Sequence, residues 1–208
     1  RHLPVVCRRQ RQMCIRDSCY VADAFEKGAA AAIVERKIDG LSEESPVLIV
    51  ANVQKALVQI ACLARKRSEA KFVAVTGSVG KTSSKNLLAK ALAQFDSVHA
   101  TIGNLNNHIG APLSLARLNG SSQFAVFELG MNNTGEIAFL SNLIRPKVAL
   151  ITNVHGVHLE QLKTERAIAE AKAEIFNGLS KNGSVVLNQD NPWICLLYTS
   201  DAADDIPR

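Results

Sequence analysis

The sequence predicts an α/β chain: a mostly parallel sheet of the phosphate-loop type with helices on both faces, preceded by part of a smaller α/β domain. Three observations carry this. Short apolar runs alternate with segments of helical period along most of the 208 residues, the pattern of parallel strands buried under crossover helices. One run, Phe72-Val-Ala-Val-Thr, leads directly into a glycine-rich turn and a helical segment. Before it, a first strand–helix segment closes in Arg65-Lys66-Arg67, and a new pattern starts at Lys71.

Taken in order, Val21–Lys27 reads as the end of an amphipathic helix stopped by Gly28. Ala30–Glu35 and Val47–Val50 are apolar runs bounded by charges, Gly and Pro, and read as strands around a polar loop at 39–46. Val53–Arg67 has helical spacing, and its terminal cations suit the helix dipole. From Lys71, strands are expected at 72–76, near Val98, and at Phe124–Leu129, Val148–Ile151 and Ser184–Leu187. Helices are expected over Ser83–Ala93, near Gly110, over Gly135–Leu143 and, as one long element, over Thr164–Leu179.

The two ends do not fit this pattern. Residues 8–18 and 195–208 have no periodicity that continues into their neighbours. Both resemble translated adapter read-through, so residues 1–18 and 195–208 are expected to be non-native; the bland alternative is a disordered basic arm and an acidic tail. Residues 19–70 then form a partial N-terminal domain and 71–194 a truncated central one. The net charge of +5 comes largely from five arginines among the first eighteen residues, not from a patterned basic face. No nucleic-acid partner is therefore expected. No apolar run is long enough to span a bilayer, so membrane insertion is not expected either. Five cysteines without metal-ligand or paired spacing favour a reducing compartment, the cytoplasm.

The strongest chemical signal is Thr76-Gly-Ser-Val-Gly-Lys-Thr-Ser83 between a strand and a helix. Glycines let backbone approach phosphate closely, and successive N–H groups at a helix N-terminus face the anion. The loop Thr76, Gly77, Ser78, Val79, Gly80, Lys81, Thr82 and Ser83 is thus expected to bind a nucleoside triphosphate. Lys81 would neutralise the β/γ-phosphates, and the Thr82 hydroxyl would reach Mg2+. The general pattern wants glycine where Val75 stands, so the loop is a variant. The bland alternative is an ordinary glycine-containing turn. Kinases, transport ATPases, GTPases and ligases all use such loops, so the loop alone does not choose among them.

Five segments in order resemble the Mur ligase family, specifically its branch that adds D-alanyl-D-alanine. They are the Thr76–Thr82 loop, Gly103-Asn-Leu-Asn-Asn-His-Ile-Gly-Ala-Pro-Leu-Ser-Leu, Phe127-Glu-Leu-Gly-Met-Asn-Asn-Thr-Gly-Glu-Ile, Asn153-Val-His-Gly-Val-His-Leu-Glu, and Ile168-Ala-Glu-Ala-Lys-Ala-Glu-Ile-Phe. The likeness runs from about Tyr20 to Trp193. It implies an enzyme with domains for a uridine nucleotide, for ATP and for the incoming amine. It implies ATP and Mg2+ as cofactors, UDP-MurNAc-tripeptide and D-alanyl-D-alanine as substrates, and a monomer. The chain as given is expected to be inactive alone, lacking the amine-binding domain.

The resemblance assigns roles that plain residue chemistry would not. Glu128 ends an apolar strand at the sheet edge that carries the phosphate loop. It would otherwise be a solvated strand-end carboxylate; the resemblance makes it a Mg2+ ligand. His158 is implied to hold a second Mg2+, although oxygen ligands suit that ion better. His155 matches no motif and is left as surface or supporting. Lys172 reads as a snorkelling surface lysine, but the matching family lysine is carbamylated and catalytic. Asn104, Asn106 and Asn107 are ordinary turn formers; the resemblance makes them contacts to the muramoyl substrate. Asn132 and Glu136 are weaker candidates of the same kind, and Asn188 and Asp190 resemble a nucleotide-side motif. Several rivals stay open. A folate-type polyglutamate ligase or another muramoyl ligase is disfavoured by Gly103–Leu115. A P-loop kinase or transport ATPase would ignore a UDP-linked peptide. A binding module or non-functional fragment is the third.

Overall fold

The computed structural model describes residues 18–42, 44–156 and 162–201. The chain divides into two compact units between Ala56 and Leu57. The division falls inside a helix, earlier than the strand start at Lys71, because from Leu57 onward that helix buries Ala61 in the larger core.

The first unit holds helix α1 (Ser18–Glu26) and two parallel strands, β1 (Ala32–Val34) and β2 (Val47–Ile49), paired Ala32 to Val47. Gly28 at φ +86° closes α1, since the left-handed backbone there suits a residue without Cβ. Helix α2 (Val53–Arg67) begins here. Its free N–H groups are met by Glu35, which accepts from Val53 N at 2.9 Å, and by Asn52, which accepts from Lys55 N at 2.7 Å.

The second unit is a five-stranded parallel sheet in the order β4-β5-β3-β6-β7, formed by β3 (Lys71–Thr76), β4 (Val98–Ala100), β5 (Phe124–Glu128), β6 (Val148–Ile151) and β7 (Ser184–Leu187). Alternation along the strands feeds two cores. Phe72, Ala74, Phe127 and Ile151 join Leu115, Ile137, Leu140, Ile144 and Ile168 of α4 (Gly110–Ala116), α5 (Glu136–Ile144) and α6 (Glu165–Ala173) on one face. Val73, Val75 and Val126 pack under α3 (Lys81–Leu92) on the other. Both faces are therefore dry, as the near-continuous apolar strands require. Chain order reverses at β3, which puts the crevice for a ligand beyond the C-terminal ends of β3, β5 and β6.

Two elements depart from the sequence reading. The long helix expected over Thr164–Leu179 is α-helical only to Ala173, then tightens to a 3-10 turn at Glu174–Gly178. The cause is Ser141 of α5: its hydroxyl donates to Ile175 O and accepts from Gly178 N, diverting both groups from the α-helical ladder. Residues 195–208 were given no element, yet α7 (Ile194–Asp201) forms and buries Leu197 in the main core. Arg65 also does more than oppose its own helix dipole. Its guanidinium lies 3.9 Å over the Phe72 ring and donates to Ile144 O and Arg145 O, capping the C-terminus of α5.

Candidate active site

The phosphate loop follows β3, buried from Phe72 to Thr76, and is braced by the loop after β6. Thr76 Oγ1 donates to Leu129 O at 2.9 Å. Ser78 N donates to Asn153 O, and Ser78 Oγ both donates to His155 O and accepts from His155 N at 2.9 Å. Val79 N donates to Asn153 Oδ1 at 3.0 Å, and Thr152 Oγ1 donates to Val79 O at 2.7 Å. Gly80 sits at φ +81° and opens α3, whose exposed first turn carries Thr82 and Ser83. The loop is thus held in shape by hydrogen bonds from the protein itself. Thr152 and Asn153, which no residue-level argument singled out, hold it; an Asn and a Thr directly after a strand are the visible signal.

Gly77 shows how tight this brace is. Its φ is +150°, and a Cβ there would collide with Thr152 Oγ1 and come 3.2 Å from Asn153 N. Gly77→Ala is expected to weaken ADP binding about tenfold or more, since Thr152 must give up Val79 O to make room. Isothermal titration of ADP into the two proteins checks this; equal affinities would mean that the brace does not shape the anion site.

Lys81 Nζ donates to the loop carbonyls Gly77 O at 2.7 Å and Ser78 O at 3.3 Å. Burial holds its pKa below the ordinary lysine value, partly opposed by the charge of Glu128. Lys172, read from sequence as a surface lysine, is only 2% exposed. Burial first, and the Lys81 charge second, lower its pKa to about 7. Lys81 and Lys172 line one cleft of about 200 Å³ with Thr76, Gly77, Asn106 and Asn107. Asn132 and Glu136 line it as well. Burial would raise the Glu136 carboxyl pKa, but hydrogen bonds from Asn132 N and Asn133 Nδ2 outweigh it and hold the group low.

Glu128 is not a solvated strand end; it is 2% exposed and stands behind Asn106. Asn106 Nδ2 donates to Glu128 Oε1 at 2.9 Å, while Oε2 has no hydrogen-bond partner and lies 3.8 Å from Lys85 Nζ. The three loop asparagines are separated by the fold into different tasks. Asn106 is spent on Glu128 and on accepting Gly130 N through its carbonyl. Asn107 Oδ1 caps α4, accepting from Ile109 N and Gly110 N. Asn104 is exposed and does not line the cleft. His158 lies outside the described residues. Among the described residues no three His, Cys, Asp or Glu side chains cluster as a metal site. That still suits Mg2+, which takes one or two carboxylates plus substrate phosphates rather than a protein cage. The unsatisfied Glu128 Oε2 is an oxygen donor of the required kind.

Sequence reasoning passed over Lys85, Thr101 and Glu174. Glu174 accepts from Gly135 N at 2.6 Å and Ala138 N at 3.1 Å, so the residue after α6 caps the start of α5 beside the cleft. The one available signal for Lys85 was its place four residues after Lys81 on the same helix face.

The Mur ligase middle domain family matches residues 75–204. UDP-N-acetylmuramoyl-tripeptide--D-alanyl-D-alanine ligase of Rickettsia prowazekii is 43% identical over 173 residues, covering 83% of this chain and 38% of that protein. A crystal structure of MurF from Acinetobacter baumannii superposes with a TM-score of 0.80 at 34% identity, covering 89% of this chain and 41% of that one. MurF of Thermotoga maritima, solved in complex with ADP, gives 0.75 at 30% identity, covering 89% and 42%. The chain thus spans about two fifths of the length of the relatives it matches. With the match over its braced phosphate loop, its glutamate strand and its lysine helix, the chain belongs to the Mur ligase family.

Proposed function

We propose that this chain is the ATP-binding part of a ligase that joins D-alanyl-D-alanine to UDP-MurNAc-tripeptide in peptidoglycan precursor synthesis. The observation that carries the reading is the cleft lined by Lys81, Asn106 and Lys172 at the end of β3, with Glu128, hydrogen-bonded to Asn106 through Oε1 and with no hydrogen bond to Oε2, beside it. The names of the relatives supply the substrates. Residues 19–70 correspond in this reading to part of the UDP-substrate domain and 71–194 to the central ATPase domain.

The peptide carboxylate attacks the γ-phosphate of ATP and becomes an acyl phosphate; the amine of D-alanyl-D-alanine then displaces phosphate and forms the amide. The chain's task is to hold the phosphates and stabilise charge, which dominates such transfers. Thr76–Ser83 wraps the phosphates, and Lys81 exchanges the carbonyls of Gly77 and Ser78 for phosphate oxygens. Thr82, Glu128 and His158 would hold Mg2+, which supplies neutralisation of phosphate charge when bound. Asn106 and Asn107, which line the cleft, would meet the muramoyl substrate, and Asn104, exposed on the same loop, would reach it only from outside the cleft. Lys172, with a pKa of about 7, presents neutral amine at physiological pH. Neutral amine is the form that adds CO2 and releases a proton to give a carbamate, turning the residue into an anion opposite Lys81. We place the enzyme in the cytoplasm as a monomer; among the described residues no helix is long and apolar enough to cross a membrane.

The complete reading frame tests this. Release of ADP and phosphate is expected to require UDP-MurNAc-tripeptide and D-alanyl-D-alanine together. Turnover indifferent to either would overturn the ligase reading in favour of a P-loop kinase or ATPase.

A further inference from the structure

Lys85 is a buried cation to which the proposed chemistry gives no task. It lies one helical turn beyond Lys81 on α3 and is 2% exposed. Its Nζ donates to Thr101 O at 2.7 Å and to Gly103 O at 3.4 Å, the first and third carbonyls after β4, at the root of the asparagine loop. It forms an ion pair at 3.8 Å with Glu128 Oε2, an oxygen that makes no hydrogen bond. Thr101 is itself pinned, donating through N to Val126 O at 3.1 Å and accepting Glu128 N on its hydroxyl at 3.1 Å. Asn106 closes the ring by donating to the other oxygen of Glu128.

Burying an ammonium is costly unless it is paired and hydrogen-bonded. Here the charge joins three elements: the helix that begins at the phosphate loop, the loop that carries Asn104–Asn107, and the end of β5. Lys85 follows Lys81 by four positions, a single turn of α-helix, too short and stiff a lever to absorb a shift at the helix N-terminus. A phosphate seated on Gly80–Lys81 therefore acts through Lys85 on the carbonyls of Thr101 and Gly103. We propose that Lys85 is a positioning residue that couples nucleotide seating to the asparagine loop and holds Glu128 in register with it. The proposal rests on the ligase reading for what that loop binds.

The complete protein carrying Lys85→Met, which keeps length but removes charge and donors, tests the coupling, with Lys85→Arg as the variant that keeps charge. In the wild type, ADP is expected to tighten UDP-MurNAc-tripeptide binding. In Lys85→Met that gain disappears and the KM for the peptide rises about tenfold or more, while ADP affinity stays within about threefold; Lys85→Arg recovers part of the loss. A peptide KM and an ADP effect unchanged in Lys85→Met would overturn the proposal, as would a wild type in which ADP leaves peptide affinity untouched. If Lys85→Met does not fold, hydrogen exchange on the wild type decides: ADP must change protection across 101–107, and unchanged exchange there defeats the coupling. A wild type that ignores the UDP-linked peptide defeats the ligase reading alone, because the exchange readout needs no peptide.

Discussion

Lys172→Met is expected to lower ligation by the complete enzyme about a hundredfold or more, the scale on which an active-site charge acts, without lowering stability at neutral pH. The side chain is fully packed away beside the phosphate loop, and its amine titrates near 7 because burial, and then the Lys81 charge, disfavour the cation. Methionine fills similar space and removes the cost of a buried charge. The sign with pH follows. Below about 7 the amine is protonated folded and unfolded, so the folded state bears the full penalty. Between about 7 and the ordinary lysine value of 10.5 only the unfolded chain takes up the proton, and stability rises with pH; above that the contribution is constant. Urea denaturation in CO2-depleted buffer should therefore show wild type gaining on Lys172→Met as pH climbs through that window. Labelled bicarbonate should add a carbamate carbon signal to the wild type that the variant lacks. Full turnover in Lys172→Met, or a stability gap that ignores pH, would remove Lys172 from the chemistry.

The parts of this architecture that were legible in the sequence are those set by local pattern. α2, β6 and β7 have the limits expected of them, because apolar period, flanking cations and turn residues all change at the same positions. The phosphate loop was legible for the same reason: its glycines, lysine and flanking strand are contiguous. What stayed hidden depends on partners far along the chain. Nothing near Lys172 or Lys85 marks them as buried, since a lysine on an amphipathic helix ordinarily reaches solvent. Their burial comes from the sheet and the loop that cover them. The three loop asparagines look equivalent in sequence, yet Asn106 is fixed by a carboxylate 22 residues away and Asn107 by the helix it caps. The lysine helix ends early because of one serine hydroxyl on α5, thirty-odd residues upstream.

That serine lies at the contact where a single methyl group should do the most structural damage. Gly178→Ala is expected to destabilise the fold by about 3 kcal/mol or more, the upper range for overpacking. A Cβ at Gly178 would collide with the carbonyl of Ser141 and come 2.6 Å from Asn142 N, backbone atoms that no rotamer change can move. Its φ is not positive, so the cost is steric and not conformational. α5 cannot simply retreat. Its C-terminal carbonyls are held by Arg65, its N-terminal amides by Glu174, and Ile137, Leu140 and Ile144 are wholly buried. Making room would break both bonds of the Ser141 hydroxyl and strain the Glu174 cap. Because α5 starts at Glu136 and the 3-10 turn follows Lys172 by one residue, the same displacement would spread the walls of the cleft. Gly120→Ala, where a Cβ meets nothing within 4 Å, is the control. A urea midpoint for Gly178→Ala equal to that of Gly120→Ala would show the helix contact to be loose, and with it the cleft wall to which Glu136 and Lys172 both belong.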